Sequence, residues 1–276
     1  MSIDRKTSQQ LRLMRKAGRV VAEGLGAMIE AARVGTSTAE IDAVGRDVLK
    51  RHGAVSSFFG YGGDYGPPFP AVACISVNDT LLHGIPDERP LADGDVVSID
   101  FGAIVEGWHG DAARTVIVGN GDPADAAMIS VSEEAFWAGA AQMRPGHRVS
   151  DVSRAIETVI RRAPDQYGIL REYTGHGIGT EMHMEPDVPN WHRSLARTPR
   201  LEAGATLAIE PMITRGTRRT VVADDEWSVL SADGSRGSHW ENTVAITPAG
   251  VWVLTEPDGG EARLRALGVP FGPLAD

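Results

Sequence analysis

Two stretches of the chain end on acids in the same way. Leu91-Ala-Asp-Gly94-Asp-Val-Val-Ser-Ile99-Asp100 returns 110 positions on, 91 to 201, as Leu201-Glu-Ala-Gly204-Ala-Thr-Leu-Ala-Ile209-Glu210. Each copy has a turn glycine, a short apolar run and a carboxylate preceded by Ile, so each half of the chain offers one acid to a shared centre. Asp111 follows Asp100 across Glu106-Gly107, a pair suited to a hairpin turn; paired strands would set the two aspartates opposite each other on one face. Glu210, between Ile209 and Pro211, and Glu241, between Trp240 and Asn242, stand in neighbourhoods unlike a solvated charged surface. Four carboxylates gathered at a half-buried centre repel one another and take up protons unless cations neutralise them.

His176 is the natural imidazole for such a centre. It stands in Gly175-His176-Gly177-Ile-Gly179, where the glycines let backbone approach closely and little competes for the ring nitrogens. Oxygen-rich ligation with one imidazole suits divalent ions such as Mn, Co, Fe or Zn. Four carboxylates balance two such ions, so a pair is expected. His83-Gly-Ile-Pro86 and His183-Met-Glu-Pro186 form a further echo between the halves. His52, His109, His147, His192 and His239 are read as structural, with His109, next to Gly110-Asp111, able to support a ligand from behind.

The elements that must position these groups follow from periodicity. Leu11, Met14, Val20, Val21, Leu25, Met28 and Ile29 predict an amphipathic helix within residues 8–33. A second helix starts at the Ser37-Thr-Ala-Glu40 capping box, buries Ile41, Val44, Val48 and Leu49, and stops at Gly53. Residues 54–118 read as antiparallel strands, 122–143 as a third helix and about 150–162 as a fourth. Strands return at 207–210, 227–230, 243–247 and 251–254. The helix signal repeats too, Gly35 to Val48 matching Gly146 to Val159. Duplication predicts an α+β unit of two halves, about 9–118 and 122–255, with helices covering one face of a curved antiparallel sheet. The loops 60–70 and 214–226 are long enough to be functional.

The chain has 276 residues and a formal charge of −10, which leaves no basic footprint for nucleic acid or anionic membrane. Cys74 is the only cysteine, which excludes an internal disulfide. No signal-peptide core and no membrane-length apolar run stand in the sequence, so a cytoplasmic location is expected.

Six motifs then point to a family. Cys74 to Pro86, Asp100-Phe-Gly-Ala, Gly110-Asp-Ala-Ala-Arg-Thr115, Gly175-His-Gly-Ile-Gly179, Ile209-Glu-Pro-Met212 and Glu241-Asn-Thr243 together resemble the type I methionine aminopeptidases, over about residues 12–255. The resemblance implies the pita-bread fold in a single catalytic domain spanning residues 1–276. It implies two divalent ions (Co, Mn, Fe or Zn) held by Asp100, Asp111, His176, Glu210 and Glu241, with Asp111 and Glu241 bridging. It further implies His83 and His183 against the substrate and the tetrahedral intermediate, and Glu210 as proton acceptor. Tyr61, Phe69, Cys74, Met182 and Trp227 become the residues expected around the methionine side chain. The implied activity is removal of the initiator methionine when the second residue is small. Nascent polypeptide amino termini, met at the ribosome by a monomer, are the implied partners.

Three features depart from the family pattern. The loop 60–70 is longer than usual, which affects the placement of Tyr61 and Tyr65; Met182 stands for the usual Phe, and Asn242 stands where His is common. The short segment from His176 to Glu210 lacks the type II insertion, and the amino terminus lacks a zinc-binding extension, which favours a bacterial type I enzyme. Two rivals are an Xaa-Pro-type aminopeptidase, expected to carry a further amino-terminal domain, and a non-catalytic peptide-binding module, expected to have lost a ligand.

Overall fold

The structure, a computed structural model, describes residues 3–64, 66–192 and 197–275, so Tyr65 lies outside the described residues. In chain order, α1 (Ser8–Ala31) and α2 (Thr38–His52) precede β1 (Val55–Ser56), β2 (Ala73–Val77), β3 (Thr80–Leu82) and the hairpin β4 (Val96–Val105) and β5 (Trp108–Ile117). Helices α3 (Pro123–Ala140) and α4 (Val149–Arg162) lead to β6 (Gly168–Ile169), β7 (Gly175–Gly177), β8 (Met184–Val188), β9 (Thr206–Ile209) and β10 (Met212–Thr214). The chain closes with β11 (Thr220–Val222), β12 (Val229–Ser231), β13 (Gly237–His239), β14 (Asn242–Thr247), β15 (Gly250–Val253) and α5 (Glu261–Ala266).

The helix starts are written in their caps. Thr7 accepts from the Gln10 amide and Ser37 from the Glu40 amide, each in a reciprocal capping box, and Gly53 ends α2 in the left-handed region at φ 60°. Ile41, Val48 and Leu49 are buried as expected, whereas Val44 is half-buried because the sheet side of α2 is taken up by Gly45 and the buried Asp42. The Asp42 carboxylate accepts from the Val72 and Ala73 amides at 2.8 and 3.0 Å and from Arg46, tying α2 to the start of β2.

Two apolar cores lie under the helices, one beneath α1 and α2 and one beneath α3 and α4. Alternation along β4 explains how each core leaves an acid free. Phe101 turns into the helices, where its ring takes the space that a Cβ on Gly24 would fill at 2.3 Å; its neighbour Asp100 turns to the opposite face. Burying a side chain of that size contributes about 1.5–3 kcal/mol, enough to fix which way the strand faces.

The sheet is segmented rather than continuous. β1, β4, β2 and β5 form one unit, β15-β14-β9-β7-β8 another, and two three-stranded units, β13-β10-β6 and β11-β12-β3, lie beside them. The halves repeat in their hydrogen bonds. Gly35 N–H donates to Leu91 C=O at 2.8 Å and Gly146 N–H to Leu201 C=O at 2.9 Å; Gly94 N–H donates to Val118 C=O at 2.7 Å and Gly204 N–H to Ile246 C=O at 2.8 Å. All four glycines sit at φ between 88° and 95°, where a Cβ would be strained.

Other readings need correction. The strand expected at 227–230 starts at Val229, and the loop expected at 214–226 contains β11, whose exposed Val221 and Val222 gave no burial pattern to read. The helix α5 was not expected, being only six residues long.

Candidate metal centre and its pocket

The β4–β5 hairpin turns at Glu106 and Gly107, both at positive φ (50° and 80°), and this fixes its register. Asp111 pairs with Gly102 and Asp100 with Ala113, so the aspartates are diagonal neighbours on one face, not directly opposite as the sequence suggested. The turn is centred one position beyond the point midway between the two acids, which offsets their pairing by two residues. The diagonal still keeps their side chains together, since alternate residues share a face.

The second half closes on this hairpin through residues 239–243. Glu241 exchanges backbone bonds with Ala113, donating at 2.9 Å and accepting at 3.4 Å, and Thr243 Oγ1 accepts from the Asp111 amide at 3.0 Å. Arg114 donates to the Glu241 carbonyl at 2.6 Å and to Asn242 Oδ1 at 2.9 Å. Asn242 is thereby a brace at the seam between the halves. Glu210 follows β9 directly, its carbonyl held by Asn190 Nδ2 at 2.9 Å. His176 lies on β7, paired with Ala208 of β9. Its Nδ1 lies 2.9 Å from the Gly177 carbonyl, which can only accept, so Nδ1 carries the proton and Nε2 keeps a lone pair.

Asp100, Asp111, His176, Glu210 and Glu241 therefore line one cavity of about 230 Å³. Asp111, His176, Glu210 and Glu241 are buried and Asp100 is partly open to the cavity. Burial and then mutual repulsion push the carboxyls of Asp100, Glu210 and Glu241 well above the usual range, and burial pushes Asp111 up to about 7. Burial also lowers His176 to about 3 and His83 to about 4. Neutral imidazoles thus face acids that can ionise together only beside a cation.

The donor set fits metal ions. Asp100 Oδ1, Asp111 Oδ1, Glu241 Oε1 and His239 Nε2 are buried without hydrogen-bond partners among the described residues. Two groups have ligand atoms within 4.8 Å of one another: Asp111, His176 and Glu241, and Asp100, His239 and Glu241. Glu241 belongs to both. His239, read as structural, instead points into the centre. The signal was available: His239 and Glu241 are two residues apart, the spacing of one strand face. His109 bonds Ser57 Oγ through Nδ1 at 2.9 Å.

The other wall of the cavity is apolar and sulfur-rich. Phe69, Cys74 and Met182 pack with Phe58, Ala71, Ile85 and Trp227, and Phe58 is a lining residue that sequence reading missed. Cys74 pairs with Asp100 across β2 and β4, and burial followed by that carboxylate's charge holds its thiol un-ionised. Trp227 stands edge-on to Phe69 with centroids 5.3 Å apart, its amide accepted by Asp225. The loop 60–70 wraps this tryptophan: the Trp227 indole donates to the Pro67 carbonyl at 2.9 Å. At the mouth the His183 ring lies 4.3 Å from His176, and Tyr61 places its hydroxyl 2.6 Å from His183 Nδ1. His83 lies within ring contact of Tyr173 and Trp227.

Comparison with known proteins agrees with this geometry. Residues 12–248 match the model of metallopeptidase family M24. The chain is 47% identical over 258 residues to methionine aminopeptidase 1 of Mycobacterium tuberculosis, covering 92% of this chain and 95% of that protein. It superposes on the methionine aminopeptidase of Thermotoga maritima with a TM-score of 0.87 at 34% identity, covering 92% of this chain and 99% of the other. The prolidase of Pyrococcus horikoshii gives a TM-score of 0.70 at 22% identity, covering 91% of this chain and 63% of the other, a likeness of fold alone.

Proposed function

The chain belongs to metallopeptidase family M24, and from that membership we propose that it is an exopeptidase removing amino-terminal methionine from newly made polypeptides whose second residue is small. The observation that carries the reading is one cavity with a ligating wall of four carboxylates and imidazole facing an apolar, sulfur-containing wall suited to a thioether side chain. Charge balance supports two divalent ions (Co, Mn, Fe or Zn), held by Asp100, Asp111, His176, Glu210 and Glu241, with Asp111 and Glu241 shared. When bound, such ions supply Lewis acidity that makes water a nucleophile near neutral pH and polarises a carbonyl.

The chain's own groups do the rest. Glu210 has Oε1 3.4 Å from His176 Nε2 and Oε2 3.5 Å from His239 Nε2, a position from which it takes the proton released in the attack and hands it to the leaving amine. Tyr61 Oη lies 2.6 Å from His183 Nδ1; when the phenol donates there, a neutral His183 carries its proton on Nε2, the tautomer that donates to the developing tetrahedral oxygen. His83, kept neutral by burial, lines the same mouth. Phe58, Phe69, Met182 and Trp227 exclude water around the methionine side chain, and Cys74, un-ionised, adds a polarisable contact.

We read the chain as one catalytic unit acting as a monomer on nascent amino termini. No helix among the described residues is long and apolar enough to cross a membrane. The test is a peptide panel with and without chelator. Met-Ala-Ser is expected to be cleaved, Met-Lys-Ser and Ala-Pro peptides left intact, and chelator to stop the reaction. Cleavage of Ala-Pro alone would assign an Xaa-Pro activity, and silence on all three with metal supplied would assign a binding module.

A further inference from the structure

We propose that His239 is a sixth protein ligand of the metal centre, giving the ion beside Asp100 an imidazole of its own. The inference rests on the metal-centre reading above and adds to it a residue outside the set of five.

The backbone of His239 is anchored to the hairpin that carries the aspartates. Its amide donates to Thr115 Oγ1 at 2.8 Å, the same hydroxyl lies 2.9 Å from its carbonyl, and Ser98 Oγ on β4 meets Thr115 Oγ1 at 2.7 Å. The ring leaves this anchor inward and is 5% exposed, and its Nε2 has no hydrogen-bond partner among the described residues. That nitrogen stands 3.5 Å from Glu210 Oε2 and 3.7 Å from Glu241 Oε2, too far for good hydrogen bonds, and it groups with oxygens of Asp100 and Glu241 within 4.8 Å. A buried imidazole nitrogen beside orphaned carboxylate oxygens is a costly arrangement that a cation held by His239, Asp100 and Glu241 relieves.

The consequence is a near-symmetric pair. The ligand atoms group as Asp111, His176 and Glu241 on one side and Asp100, His239 and Glu241 on the other, with the Asp111 carboxylate shared as proposed above. With one imidazole on each side, the two ions bind with comparable affinity. The second nitrogen also moves the Asp100 side toward cobalt and zinc over manganese.

The probe is Co(II), titrated into protein stripped by chelator and followed by calorimetry, visible absorption and X-ray absorption. Wild-type protein is expected to bind two ions of comparable affinity with two imidazoles per pair. In His239→Gln the affinity for one ion is expected to fall by about 10- to 100-fold or more while the other is kept, since even outer partners of ligands cost that much. One imidazole per pair in wild-type protein, or a His239→Gln variant with both affinities unchanged, overturns the proposal and leaves the five-ligand reading standing. Wild-type protein that binds no Co(II) overturns both. The wild-type imidazole count decides the matter even where the variant fails to fold.

Discussion

Glu210 carries the sharpest consequence among single residues. Its two carboxyl oxygens each face an imidazole, so Glu210→Gln should keep the fold and the pocket while lowering kcat for Met-Ala-Ser by about 10²–10⁴-fold, the usual worth of a positioned proton acceptor. An unchanged kcat would move the proton step elsewhere. His183→Ala should cost about 10²–10³-fold in kcat, as for a lost oxyanion donor. Tyr61→Phe should cost less and alter the pH profile, because it frees Nδ1 and lets the other tautomer form. Steady-state rates of both variants against pH check the pair. At this scale the acids and His176 were legible because each stands in a short motif with its own backbone signature. His239 was missed because its one local signal, the two-residue spacing to Glu241, is common in any strand, and Asp100, which completes its group, comes from the other half of the chain.

The elements explain how far such reading reaches. Caps and apolar spacing placed α1 to α4 within a few residues, since those signals are local. The hairpin register was not local: the turn at Glu106 and Gly107 shifts Asp100 and Asp111 to a diagonal, and only the fold shows that Glu241 pairs with Ala113 across the seam. The loop 60–70 is a further case. Gly62, at φ 79°, lies where a Cβ would stand 2.7 Å from the Trp227 ring. Gly62→Ala should therefore displace the indole and raise KM for Met-Ala-Ser by about 10-fold, the scale of a methylene misfit in an apolar pocket, with Co(II) affinity unchanged. A KM equal to wild type would mean that the loop does not shape the pocket.

For the whole molecule, the duplicated halves place their buried acids and imidazoles at one seam, and this makes stability depend on pH and metal together. Asp111, raised to about 7 from 3.8, binds its proton more tightly folded than unfolded, so its contribution is full below about 3.8 and is lost as pH climbs through about 7. His83 and His109, lowered to about 4 from 6.5, act the other way: their contribution is present above 6.5 and is lost as pH falls through about 4. The two slopes oppose each other between these limits. Above 6.5 only the carboxyls remain, so metal-free protein should lose thermal stability from pH 6.5 to 8. Metal-loaded protein should gain it, because ions displace protons more easily as pH rises. Calorimetric melting of both forms across that range checks the sign.

Methionine release from Met-Ala-Ser by chelator-treated protein, followed as Co(II), Mn(II), Fe(II) or Zn(II) is added back, tests most directly whether the seam between the halves is a metal-dependent active site. Activity should be absent without ions and return with at least one of them. Full activity in the stripped protein, or folded protein that stays silent with every ion, would contradict it.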